Sequence, residues 1–137
     1  MKKTKRTLLC LMLAVLMVAS CALTAMAASG SSTALVNGTN YSYRWSLTPG
    51  TTSGSGSMST TATPTNLTVK VRNYLYSEEN DKSGYGAWAS NTGYSSVTAT
   101  ANNILVIGIA NVPSSVVSMD GNFYINSVLV NSQYKVV

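Results

Sequence analysis

Between Asn66 and Tyr76 the chain reads Asn-Leu-Thr-Val-Lys-Val-Arg-Asn-Tyr-Leu-Tyr. Leu67, Val69, Val71 and Leu75 fall on one parity, and Thr68, Lys70, Arg72, Tyr74 and Tyr76 on the other. Successive side chains of a strand point to opposite faces, so this pattern predicts a β-strand with one dry and one wet face. The same alternation recurs in shorter runs. Tyr41, Tyr43, Trp45 and Leu47 alternate with Ser42, Arg44 and Ser46, and Val97, Ala99 and Ala101 alternate with Ser96, Thr98 and Thr100. Residues 104–110 are apolar throughout, and their length and β-branched content predict a strand covered on both faces. Weaker patterns place strands at 57–63, 87–89 and 133–137.

Turn chemistry divides these runs. Asn37-Gly38 supplies the positive φ angles of a two-residue hairpin, joining 34–36 to 39–47. Asp120-Gly121 predicts a second hairpin, from 116–119 to 122–130, in which Phe123 and Ile125 share a face. Asn91-Thr92-Gly93 and Asn131-Ser132 read as further turns, and 48–56 and 77–86 as loops. About seven to nine short strands with no helical period predict an all-β fold, a small antiparallel β-sandwich. The expected domain is 34–137, preceded by a flexible lead-in at 28–33. The expected core holds Leu35, Trp45, Leu67, Val69, Val71, Val97, Leu105, Ile107, Phe123, Ile125 and Leu129.

The first residues follow a different grammar. Lys2, Lys3, Lys5 and Arg6 precede an apolar run from Leu8 to Ala19, and Ala25-Met26-Ala27 precedes Ala28. These three parts predict a bacterial signal peptide over 1–27, cut between Ala27 and Ala28, and a secreted, extracellular product. Val18-Ala19-Ser20-Cys21 also reads as a lipobox, which makes a surface lipoprotein anchored at Cys21 the alternative. The complete small-residue cleavage pattern favours release.

Removing the leader changes the chemistry that remains. Of nine basic residues four lie in the leader, and the other five face four acidic residues, a net charge of +1. So balanced a chain gives no reason to expect nucleic acid or an anionic membrane as partner. Both cysteines, Cys10 and Cys21, belong to the leader, and the chain has no His. Ser-His-Asp and Cys-His nucleophilic chemistry and Cys/His metal sites are therefore not expected. The rest is Ser/Thr-rich, yet eight Tyr, two Trp and the alternating Val positions favour a folded domain over disorder.

Three groups remain as candidate sites. Glu78, Glu79 and Asp81 form the one acidic cluster and offer oxygens for calcium, although their spacing lacks the helix-loop-helix pattern. A glycosidase-like pair would have to join Asp120 to this cluster, but the Asp-Gly turn already explains Asp120. The third group is aromatic. Tyr74, Tyr76, Tyr85 and Trp88 offer stiff apolar faces with polar tips, whereas Tyr41, Tyr43 and Trp45 read as core. Tyr74 and Tyr76 share their parity with Lys70 and Arg72, so these four are the candidate ligand-binding row.

The expectation is thus a secreted, non-enzymatic β-sandwich module with no cofactor. Its expected partner is an extracellular or cell-wall glycan, or a protein. Gly86-Ala87-Trp88-Ala89 resembles a stretch in small secreted β-sheet bacteriocins of the lactococcin type. That resemblance implies a bacteriocin-like or toxin-like protein as the alternative, and four residues transfer no site from it.

Overall fold

The structure is a computed structural model that describes residues 27–50, 53–62, 66–77, 81–102 and 115–136. Among these it is all-β, with nine antiparallel strands in two sheets and no helix. The first sheet contains β1 (Ala28–Val36), β2 (Thr39–Thr48), β3 (Ser53–Thr60) and β7 (Ser96–Asn102), in the order β1-β2-β3-β7. The second is built on β4 (Leu67–Ser77), with β8 (Ser115–Ile125) and then β9 (Val128–Val136) on one side. On its other side β5 (Lys82–Tyr85) and β6 (Ala89–Gly93) pair with successive halves of β4. Residues 1–26 of the expected leader, Cys21 among them, the apolar run at 104–110 with Leu105 and Ile107, and Glu78 and Glu79 lie outside the described residues.

β4 follows its alternation: Leu67, Val69, Val71 and Leu75 are fully buried. Asn73 shares their parity and is also buried. Facing them from the first sheet are Tyr43, Leu47, Met58, Val97, Ala99 and Ala101, and Met119, Phe123 and Ile125 of β8 complete one continuous core. Trp45 is partly buried against this core, its ring centroid 5.8 Å from that of Phe123. Fully burying each aliphatic side chain contributes about 1.5–3 kcal/mol, so the shared core is what holds the two sheets together.

Glycine sets how closely the sheets approach. A Cβ on Gly56 of β3 would lie 2.5 Å from Val71 Cγ1, and one on Gly121 of β8 would lie 2.5 Å from Leu47 Cδ2. Both distances are far inside carbon–carbon contact, so any larger residue would push the layers apart.

Several sequence expectations are corrected. Residues 28–33, expected as a lead-in, form most of β1 and pair with β2 from Ala28↔Leu47 onward. The expected loop at 48–56 contains the start of β3, and that at 77–86 contains β5. Asn91-Thr92-Gly93 lies within β6, paired with β4, rather than in a turn. Asp120-Gly121 is not a turn either: β8 runs straight through it. The chain reverses at Asn126-Ser127, whose φ angles of 48° and 66° are left-handed, and Asn131-Ser132 continues β9.

Two core assignments fail for one reason. A two-residue turn pairs residues whose numbers have a constant sum, so the inward parity switches from odd to even across it. Around Asn37-Gly38 (φ 50° and 81°) Ala34 pairs with inward Tyr41, while Leu35 pairs with Asn40 and is 69% exposed. Around Asn126-Ser127, Leu129 pairs with outward Tyr124 and is 51% exposed. Val130, displaced by a bulge opposite Phe123 and Tyr124, packs inward in its place.

Candidate functional site

The outer face of the second sheet collects the chain's polar and aromatic chemistry. β5 and β6 abut along one edge of β4, and the residues between them, 86–88, cross opposite the middle of that strand. The Gly86 amide donates to the Asn73 carbonyl at 2.7 Å, which fixes the crossing. Trp88 is thereby set beside Arg72. The guanidinium carbon of Arg72 lies 4.5 Å from the Trp88 ring centroid and 4.0 Å from that of Tyr85. Cation–π contacts of this kind contribute roughly 0.5–2 kcal/mol each, more as water is excluded.

Arg72 is also paired in charge. Its register partner on β8 is Asp120, and Arg72 Nε donates to Asp120 Oδ2 at 2.8 Å. The two side chains are 29% and 22% exposed, so the pair is partly shielded and its contribution is modest. Beyond Asp120 the next partner is Tyr134 of β9. One transverse row therefore reads Trp88, Arg72, Asp120, Tyr134. Along it lies an open trough of about 320 Å³. Asn122, Ser132 and Gln133 contribute to its lining. The Ser132 hydroxyl donates to Asn122 Oδ1 at 2.8 Å, and Gln133 Nε2 donates to Asn131 Oδ1 at 2.7 Å.

The four residues of the predicted row do share this face, but they are not equivalent. Lys70 is exposed, its Nζ 5.3 Å from the Tyr124 ring centroid. Arg72 is engaged by Asp120 and two rings. Tyr74 meets Tyr85 edge to face at a centroid distance of 5.0 Å. Tyr76 donates its hydroxyl proton to Asp81 Oδ1 at 3.3 Å. Asp120, Asn122, Tyr124 and Tyr134 were not anticipated here. Alternation through 118–124 carries the signal for the first three, once Asp120-Gly121 is read as strand.

Of the proposed calcium ligands, Asp81 is exposed at a positive φ of 47° before β5, and Glu78 and Glu79 lie outside the described residues. Among the described residues no group of three or more His, Cys, Asp or Glu side chains comes together. Two larger depressions, of about 670 and 460 Å³, lie around Arg44 on the first sheet. Ser and Thr dominate their lining, with Tyr43 in the larger and Trp45 in the smaller, and both of these rings pack against the core. Compared with family models, characterised proteins and solved structures, the chain matches none of them.

Proposed function

We propose that this chain is an exported, non-enzymatic binding module, a β-sandwich released from a bacterial cell by cleavage between Ala27 and Ala28. It takes an extracellular glycan or protein on the outer face of the second sheet. The observation that carries this reading is the concentration of exposed rings there: Tyr76 is 37%, Tyr85 54%, Trp88 42% and Tyr134 59% exposed. Large aromatic side chains normally gain by burial, and a face that displays several beside fixed polar groups suits recognition. The Arg72–Asp120 pair and its two stacked rings hold the centre of that face in one conformation, which lowers the entropy lost on binding.

The test is a glycan and cell-wall binding screen of the secreted chain, run beside a Tyr74→Ala/Tyr76→Ala double variant. Binding by the parent and its loss in the double variant are expected. No binding by either protein, or equal binding by both, would remove this face from consideration.

A further inference from the structure

We propose that the trough between Trp88 and Tyr134 is a subsite for one uncharged pyranose ring, with Trp88 as its stacking platform. The proposal rests on the binding reading above and narrows it to a site and a ligand class.

Size comes first. A volume of about 320 Å³ sits at the lower end of small-molecule sites, enough for one sugar-sized ring and too small for a folded partner. Shape and polarity come next. Trp88 is 42% exposed although Arg72 covers part of its ring, so a flat apolar surface still faces solvent. The C–H face of a pyranose fits such a surface, while its hydroxyls need hydrogen-bond partners around the rim. Asp120 meets Arg72 through Oδ2, which leaves Oδ1 as an acceptor, and Asn122 and Ser132, paired on the same face, supply neutral donors and acceptors. A carboxylate accepting from a hydroxyl makes one of the stronger hydrogen bonds available to a sugar.

Charge then selects among sugars. The guanidinium of Arg72 is compensated by Asp120 at 2.8 Å; among the described residues no second cation lines the trough, and Lys70, the register partner of Asn122, leans over Tyr124 instead. An acidic sugar would place its carboxylate against Asp120 with no surplus positive charge to offset the repulsion. The trough therefore favours a neutral hexose or N-acetylhexosamine. Because a single ring has few atoms, its Kd is expected on the order of 1 mM, with tighter binding only for a polymer that spans more of the face.

The experiment is a nuclear magnetic resonance titration of the isotope-labelled secreted chain with glucose, N-acetylglucosamine and glucuronic acid. The indole N–H of Trp88 is the reporter, and that of Trp45, packed against Phe123 on the inner side, is the internal control. A saturable shift at Trp88 with a neutral sugar, and none at Trp45, is expected. Read in the variants from the backbone amides of Asn122 and Ser132, which line the trough, Trp88→Ala should weaken binding at least about tenfold, Trp88→Tyr should restore most of it, and Asp120→Asn should weaken it roughly three- to tenfold. An unchanged Trp45 resonance shows that each variant is folded. Absence of any Trp88 shift at roughly 0.1 M sugar, a hundred times the expected Kd, overturns the proposal. So does response to the acidic sugar alone, or equal binding by Trp88→Ala. If Trp88→Ala binds a wall polymer like the parent while the Tyr74/Tyr76 double variant does not, the face stands and this subsite falls.

Discussion

Replacing Gly121 by alanine tests directly how the two sheets pack against each other. In the structure Gly121 is mid-strand, paired with Val71 on one side and Gln133 on the other. The added Cβ would lie 2.5 Å from Leu47 Cδ2 and 3.1 Å from its Cδ1 and Cγ. Leu47 is fully buried, so it cannot swing into solvent to make room. Overpacking a core in this way costs about 1–3 kcal/mol. Alanine recovers roughly 0.5–1 kcal/mol of backbone entropy relative to glycine, which leaves a net loss of about 1–2 kcal/mol. Leu47→Ala alone should cost about 2–5 kcal/mol through lost burial and a cavity. In that background the new methyl group enters vacated space, and Gly121→Ala should become neutral or stabilising by about 0.5–1 kcal/mol.

The measurable quantity is therefore a coupling energy of about 2 kcal/mol, obtained from urea midpoints of the four proteins at constant m-value. Were Asp120-Gly121 a hairpin turn, alanine would suffer from left-handed backbone strain, equally in both backgrounds. Additivity within about 0.5 kcal/mol would thus refute the packing argument.

Two further outcomes are expected. Val69→Asp should unfold the domain, because an unpaired buried charge costs several kcal/mol against a total of roughly 5–15, while Lys70→Asp should shift stability by less than about 1 kcal/mol. Circular dichroism melts of the two variants check this, and equal effects would contradict the face assignment of β4. Intact mass of the secreted protein should give Ala28 as its first residue, the residue that opens β1 opposite Leu47. A diacylated species starting at Cys21 would replace release by membrane tethering.

The sequence made the interior of β4 and the first hairpin readable for separate reasons. β4 has a full run of strict alternation, and Asn37-Gly38 is turn chemistry that few other structures use. Glycine elsewhere was ambiguous because its two uses look alike in one dimension. Ser53-Gly54-Ser55-Gly56 reads as a loop, yet the glycines are inward positions of β3 that lie against Asn73 and Val71 of the opposite sheet. Gly30 likewise sits within β1, where a Cβ would fall 2.9 Å from Trp45 Nε1. For Gly54 and Gly56 the reason lies in the opposite sheet, which local pattern does not contain; for Gly30 it lies in its hairpin partner on β2. Leu35 and Leu129 failed differently. Their placement follows from hairpin arithmetic, and for Leu35 the necessary turn was already identified.

Asp120 and Gly121 show how the same ambiguity hid the candidate site. As a turn, the pair would need its aspartate for turn geometry and its glycine for a positive φ, and neither residue would have anything to do with β4. As strand, the two point to opposite faces. Gly121 points inward and lets Leu47 fill the space between the sheets, which brings the layers into contact behind β4. Asp120 points outward and meets Arg72, which in turn is held against Tyr85 and Trp88. The candidate row of Lys70, Arg72, Tyr74 and Tyr76 was found because it lies along one strand. The arrangement with the better-defined chemistry runs across the strands, from Trp88 through Arg72 and Asp120 to Tyr134, and depends on register. Only when Asp120-Gly121 is extended backbone does Asp120 fall opposite Arg72, so the packing of the core and the composition of the site stand on the same two residues.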